Sequence, residues 1–408
     1  MGETVASAMA PPVALLQVPN PSGDCLDPGL ASAPVTERRP PIGKAIRVKY
    51  SDVVDENYPI DYEITCPGQS FTLRQEKEIR LNSMNRMAHL WEQFSDSCNE
   101  RDENTPVAPG PLRVLPVTTY SCITRGFCYH REYMITDTSQ TKSILGFREP
   151  QQMMQIFSLR LSSYKSKSYP ISIYGTFAVR DDLEPLRNYV FNRSRDNPVM
   201  IYQESEDLPL CSPCRGIYVL DRALLEVDLW VKKEEEGSTD ERLLSEYVEI
   251  CLRSSFNKMR TGRIHSEDAI LDMDFMFLSE SVEAVIEVFT GVDSPQHVRF
   301  IASSSCFDKE ILLFEGKCFQ GKLFTHVVAV TVEEKLSIRL EWENPHLEWT
   351  FQDGVVGALS YPDDDSVPFY VRVFFAPKNL GRRPSRYDAW KKRCKNKGTT
   401  SSSGLLKV

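Results

Sequence analysis

From Gln155 to Phe375 apolar side chains recur at every second position for most of the chain's length. A spacing of two is that of a pleated strand with one face turned to a core, and no helix can satisfy it. Leu225, Val227, Leu229 and Val231 alternate with Glu226, Asp228, Trp230 and Lys232. Phe157, Leu159 and Leu161 show the same pattern, as do Ile171, Ile173, Phe177 and Val179. Further runs cover Ala269–Leu278, Val282–Thr290, Val298–Ala302, Val327–Glu333, Leu336–Trp342, Leu347–Phe351 and Phe369–Phe375. Turns rich in Gly, Pro, Asn and Asp separate them, so the pattern predicts a sandwich or open barrel. Alternation of apolar and polar faces implies antiparallel pairing with one side wet. A propeller or solenoid is disfavoured, because no internal repeat is found.

The chain ahead of this region reads differently. Residues 1–45 are rich in Pro, Ala and Ser without periodicity, and disorder is expected over 1–60. From Phe71 to Ser97, Ile79, Met84, Met87, Leu90, Trp91 and Phe94 recur at helical spacing among Gln, Glu, Lys and Arg. A polar, proline-bearing linker follows at Asn99–Pro116. The predicted fold class is therefore mainly β: a large antiparallel β-sandwich of ten or more strands, one N-terminal helix and disordered termini. The expected organisation is a segment 1–60, a helical segment and linker 61–118, the β-sandwich 119–378 and a flexible tail 379–408.

Bulk properties narrow the class. An apolar fraction of 41% and a charged fraction of 26% fit a soluble globular chain. No apolar run approaches the roughly 20 residues that span a bilayer. The N-terminus has no basic residue before Arg38, against a secretory or transit signal, and Ala6 breaks a myristoylation motif. The expectation is a cytoplasmic or nuclear location and no membrane partner. The net charge of −9 hides a split: residues 379–408 hold nine Lys or Arg against the single acid Asp388, which is +8 and leaves −17 on the rest.

One stretch is distinctive. Tyr169–Pro198 reads as strand, charged turn, short strand and an Arg-rich corner, followed by Cys214–Asp221 and Leu225–Lys232. Over roughly Met154–Pro377 the chain resembles a plant, chiefly grass, domain family of uncharacterised function. Some members of that family are joined to ribosome-inactivating rRNA N-glycosidase domains. The resemblance implies a β-rich domain and carries over no catalytic residues.

Few chemistries fit the residues present. An rRNA N-glycosidase needs a helix-borne Glu-x-x-Arg; the nearest text, Glu184-Pro-Leu-Arg187, puts a proline where a helix interior forbids it. It reads as a solvated turn with a local ion pair. Cys211-Ser-Pro-Cys214 has the spacing of a metal knuckle. Structural zinc needs four ligands, and Cys122, Cys128 and His130 lie far away in sequence. The pair also precedes a strand, whereas a redox Cys-x-x-Cys opens a helix. Whether Cys211 and Cys214 bind metal stays open, with a structural role favoured. Asp272-Met-Asp274 and Asp363-Asp-Asp365 resemble calcium-holding loops, yet paired acids on one strand face also suit an exposed face. Arg180, Arg187, Arg193 and Arg195 are expected to pair with Asp181, Asp182, Glu184 and Asp196 as a structural corner. No nucleophile elbow, phosphate loop or His-x-x-x-His pair is present, so no catalytic residue and no cofactor is assigned.

The tail carries the remaining candidates: Arg382, Arg383, Arg386, Trp390, Lys391, Lys392, Arg393, Lys395 and Lys397. Such residues neutralise phosphates, Trp390 and Tyr387 can stack on bases, and the doublets resemble a nuclear localisation signal. The functional expectation is a non-enzymatic interaction module with a protein partner, in plant stress or defence. The alternative is an RNA- or ribosome-associated protein acting through the tail.

Overall fold

The structure is a computed structural model. It describes residues 63–66, 69–120, 123, 150–165, 169–181, 183, 186–203, 207–233, 238–252, 255–291, 296–342, 347–352, 359–360 and 369–375. The expected disorder of 1–60 and the tail candidates lie outside these residues, as do Cys122, Cys128, His130 and Asp363–Asp365.

β1 (Glu63–Cys66) and β2 (Gln69–Thr72) form an antiparallel hairpin leading into α1 (Leu73–Asn99). Thr72 starts the helix because its Oγ1 accepts from the Gln75 backbone N–H while the Gln75 side chain accepts from that of Thr72. The expected helix is present, shifted two residues along the chain. Its apolar stripe is shallow: Met87, Leu90, Trp91 and Phe94 are half-buried, whereas Leu81 and Met84 are 56% and 68% exposed. The Phe94 ring lies against Gly110.

The stretch read as a linker contributes to the sheets. β3 (Gly110–Pro111) pairs in parallel with β13 (Arg260–His265), and β4 (Arg113–Val114) pairs with β12 (Glu241–Cys251). Leu115 is buried with Ile123 and Leu224. β5 (Gln151–Tyr164), β6 (Ile171–Arg180), β7 (Asn188–Arg193), β8 (Val199–Ile201), β9 (Asp207–Leu208), β10 (Ile217–Tyr218) and β11 (Arg222–Val231) precede β12 and β13. A six-stranded sheet runs β4-β12-β11-β6-β7, with β8 also on β6. Its Phe177, Val227 and Leu229 share a core with Leu159 of β5 and with Met273 of β14 (Ala269–Thr290).

A second core lies farther along the nine-stranded sheet that contains β5 and β14. β15 (Gln296–Ser304), β16 (Phe307–Cys318), β18 (Lys335–Glu341) and β19 (Leu347–Gln352) form a four-stranded sheet ordered β16-β15-β18-β19. Phe300 and Ile338 from it pack with Ile286 of β14, Val328 of β17 (Gly321–Thr331) and Val371 of β21 (Phe369–Phe375), which also pairs with β20 (Leu359–Ser360). Burial of such side chains contributes about 1.5–3 kcal/mol each. The predicted antiparallel sandwich is therefore found, as two sandwich cores joined by one nine-stranded sheet.

β14 is the shared spine. Its first half pairs with β5 and β13, and its second with β17 and β21. Odd-numbered Leu271, Met273, Phe275 and Phe277 belong to the first core; even-numbered Met276, Leu278, Val282, Ala284, Ile286 and Val288 belong to the second. A bulge lies between Leu278 and Ser281, where Glu280 takes φ 44°, and the even-numbered face belongs to the second core on both sides of it. Successive side chains of a strand point to opposite faces, so β14 serves one core with its odd-numbered face and the other with its even-numbered face. Among the described residues no helix is long and apolar enough to cross a membrane.

Candidate functional site

The site forms where the nine-stranded sheet is interrupted. Along one edge β5 pairs with β14 over nearly its whole length. Along the other, β10 covers Met153–Met154 and β9 covers Leu159–Arg160, so among the described residues Gln155–Ser158 face no strand there. β5 also bulges in this gap: Ile156 matches Phe275 and Ser158 matches Asp274, which leaves Phe157 as the extra residue. The Phe157 ring meets Phe307 edge-on at 5.1 Å. The chain leaves the edge at Leu208 and returns at Ile217. Pro209 and Pro213 in between have no N–H to offer a ladder. The loop is held instead to β7, through Cys211 N–H to the Val190 carbonyl (2.9 Å) and Cys214 N–H to Asn188 Oδ1 (2.9 Å).

The gap opens into a cleft of about 350 Å³. Met154, Ile156, Leu208 and Ile217 line one side, and Ile311, Leu312, Val327 and Ala329 another. The backbone edges beside it are capped by side chains. Gln155 Nε2 donates to the Ile156 carbonyl at 2.8 Å while its Oε1 accepts from Ala329 N–H at 3.0 Å. Ser212 Oγ accepts from Val327 N–H at 3.0 Å. Buried backbone groups that lose a strand partner need such substitutes, and here they also blunt both edges against an added strand.

Three polar groups set the chemistry. His326 is 5% exposed, and burial lowers its pKa to about 4 against the opposing pull of the Leu313 carbonyl. Burial pushes the Cys211 thiol up to about 11, with Arg193 pulling it down. At neutral pH the imidazole is uncharged and the thiol protonated, which is the reverse of a primed thiolate–imidazolium pair. Lys309 Nζ donates to Asp274 Oδ2 (2.5 Å) and to Ser158 Oγ (3.0 Å). Asp274 also accepts from Ser158 (2.8 Å) and Thr261 (2.6 Å). Burial raises the Asp274 pKa, but the hydrogen bonds from Lys309, Thr261 and Ser158 prevail and hold it below its ordinary value. Lys309 lines a second hollow of about 530 Å³ as well, beside Met259, Met276 and Phe307.

The residues singled out from sequence fall into separate places. Arg180 and Arg187 both donate to Glu226, Arg180 Nη2 at 2.6 Å and Arg187 Nε at 3.0 Å, while Asp182, one of the expected local partners, is outside the described residues. Glu226, read as lying on a wet face, is 7% exposed because the two guanidinium groups cover it. Its pKa is raised by burial and lowered more strongly by Arg187 and Arg180, with a net fall. Arg187 is half-buried, and Glu184 of the same turn is outside the described residues. Asp181 is fully buried and accepts from Arg215 Nη1 (2.5 Å) and Nη2 (2.7 Å) and from Tyr218 N–H (2.8 Å). Arg195 pairs with Asp240, not Asp196, at 2.6 Å.

The Asp272–Asp274 pair is not an exposed face. Asp272 is 3% exposed and takes Arg263 Nε and Nη2, each at 2.7 Å. With Asp274 on Lys309, each carboxylate already has a cation, leaving little negative charge for calcium. Among the described residues no group of three or more His, Cys, Asp or Glu could hold a metal ion. Cys211 lines the cleft. Gln155, Ser158, Lys309 and His326 carried no sequence signal, because each sits singly in an ordinary strand pattern.

Residues 153–347 match the family model of DUF6598, a domain of unknown function. Every residue that lines the cleft falls within the DUF6598 match. No curated protein matches the chain. Among solved structures it is similar to human GIVD cytosolic phospholipase A2, at 12% identity and TM-score 0.21, over 58% of this chain and 34% of that one. It thus spans about a third of the phospholipase. It is also similar to the paired C2 domains of Extended-Synaptotagmin 2, at 10% identity and TM-score 0.21, over 59% of this chain and 95% of that one. These scores are too low to assign a shared fold.

Proposed function

We propose that the DUF6598-matching region is a non-enzymatic binding module whose ligand sits in the cleft beside β5. The observation that supports this most is the interrupted edge: among the described residues Gln155–Ser158 have no strand on the side away from β14, and the space so opened is apolar-walled and about 350 Å³. That volume is at the small end of the range for ligand pockets. The cleft contains a thiol and an imidazole, but burial keeps both in forms unsuited to attack. Binding is what remains.

The test is a fragment screen by saturation-transfer NMR on the protein and on Leu312→Trp, a substitution at a rim position that is 40% exposed. Fragments that bind the protein, fail to bind the variant and are recovered unchanged support the module. Fragments returned chemically altered, with turnover abolished by Cys211→Ala or His326→Ala, would make the protein an enzyme and end this reading.

A second reading concerns the C-terminal segment alone. Its +8 charge suits phosphate contact, with release of condensed counterions on binding. Binding of RNA that falls steeply with salt and is lost on truncation after Pro377 would support it; salt-insensitive binding would rule it out.

A further inference from the structure

The shape and charge of the cleft restrict what can occupy it. An added peptide strand would need backbone donors or acceptors along the β5 and β17 edges. The Ile156 carbonyl is already taken by Gln155 Nε2, and the Val327 and Ala329 N–H groups by Ser212 Oγ and Gln155 Oε1. Recognition therefore falls to side chains. The apolar walls, from Met154 and Ile156 to Leu312 and Val327, favour a ligand that is mostly hydrocarbon.

Charge narrows the class further. Lys309 and Asp274 neutralise one another at 2.5 Å, and Asp274 is saturated by Lys309, Ser158 and Thr261. Glu310 at the wall pairs with Arg339 at 2.7 Å. Asp207 is exposed at the mouth, where water screens it. A cationic ligand would find no buried carboxylate to receive it. An anionic ligand would meet a lysine already matched, with Asp274 beside it. One donor does remain: an ammonium carries three protons, and the described acceptors of Lys309 Nζ are two, Asp274 and Ser158.

We infer that the cleft binds an uncharged, mainly apolar small molecule carrying one hydrogen-bond acceptor, read by the third proton of Lys309. The inference rests on the binding reading above and specifies its ligand. A carbonyl or ether oxygen at one end of a rigid hydrocarbon frame has the required form.

The test is a calorimetric titration of the full chain with three isosteric probes: acetylnaphthalene, ethylnaphthalene and naphthoate. Acetylnaphthalene should bind at least about tenfold more tightly than naphthoate, which has to shed its charge hydration. Ethylnaphthalene, with no acceptor, should bind several-fold more weakly than the ketone. Leu312→Trp should weaken the ketone about tenfold by filling the mouth. Lys309→Met should bring the ketone down to the level of ethylnaphthalene. The double variant Lys309→Met/Asp274→Leu serves if the single one leaves Asp274 unpaired and fails to fold.

Naphthoate binding as tightly as the ketone, with Leu312→Trp weakening both, would overturn the uncharged-ligand inference and leave the binding module standing. Equal affinity for the ketone and ethylnaphthalene would remove Lys309 from recognition and overturn the acceptor requirement. Probes that do not bind, or that bind without regard to Leu312→Trp, would overturn both readings.

Discussion

Asp181 and Arg215 form the ion pair whose disruption should be felt most. Their side chains are 0% and 2% exposed, with Nη1 and Nη2 both on the carboxylate. Asp181 also accepts from the Leu183 and Tyr218 N–H groups, at 3.2 and 2.8 Å. Asp181→Asn keeps the volume, so no cavity contributes; it removes the counter-charge and turns an amide NH₂ toward groups that are themselves donors. Leaving one partner of a buried pair uncompensated costs about 3–5 kcal/mol. The contrast is Lys165–Asp268, of similar length at 2.7 Å but with side chains 67% and 51% exposed. There, Lys165→Met should cost less than about 0.5 kcal/mol. Urea unfolding of the two variants at one pH, compared at equal slope, separates them. The paired change Asp181→Leu/Arg215→Met removes both charges and should cost less than Asp181→Asn alone. A cost for Asp181→Asn below about 1 kcal/mol, or no greater than that of Lys165→Met, would refute the reasoning.

Three further outcomes follow from the same geometry. Gly175 has φ +119° and a Cβ there would lie 2.1 Å from the Asp228 carbonyl oxygen, so Gly175→Ala should cost at least about 2 kcal/mol in thermal or urea unfolding. His326 has a folded pKa near 4, below its ordinary 6.5, so the unfolded chain binds the extra proton between those values. Stability should therefore rise with pH across about 4 to 6.5, by up to about 3 kcal/mol from this group. His326→Gln should flatten that rise when urea midpoints are compared at pH 5 and pH 7. Cys211, held near 11, should be alkylated by iodoacetamide about tenfold faster per pH unit between about pH 8 and 10, as read by peptide mass spectrometry.

Strands are legible where apolar and polar residue types alternate. β21 alternates in burial as well as in residue type, whereas β11 alternates in residue type over Leu225–Val231 although Glu226 on its polar face is buried. β12 and β16 were not read as strands. In β12 the adjacent Leu243 and Leu244 are both buried, and in β16 apolar Leu312 is 40% exposed, so neither keeps the simple period. β14 was read as two strands because Ser279-Glu280-Ser281 looks like a turn. A bulge and a turn use the same polar residues, and only the register on β5 and β17 tells them apart. The long-range ion pairs are hidden from the sequence for a related reason. Arg187 reaches Glu226, 39 positions away, through sheet pairing, whereas sequence offers only neighbours such as Glu184.

The cleft was the least legible feature, because it depends on what two short strands fail to cover. β9 and β10 hold two residues each, and neither would be noticed as a strand from its own sequence. Their importance lies in where they stop. Pro209 and Pro213 remove donors from the segment between them, and Asn188 and Val190 hold it on β7. At the returning end Asp181 receives the Tyr218 N–H, so the ion pair that stabilises the corner also fixes where β10 rejoins β5. A perturbation of Asp181 is accordingly a perturbation of the cleft. Asp181→Asn should lower affinity for an uncharged probe even under conditions where the variant remains folded, whereas Lys165→Met should leave it unchanged. That coupling would tie the charge network of the corner to the cleft, although Asp181 and Arg215 do not line it.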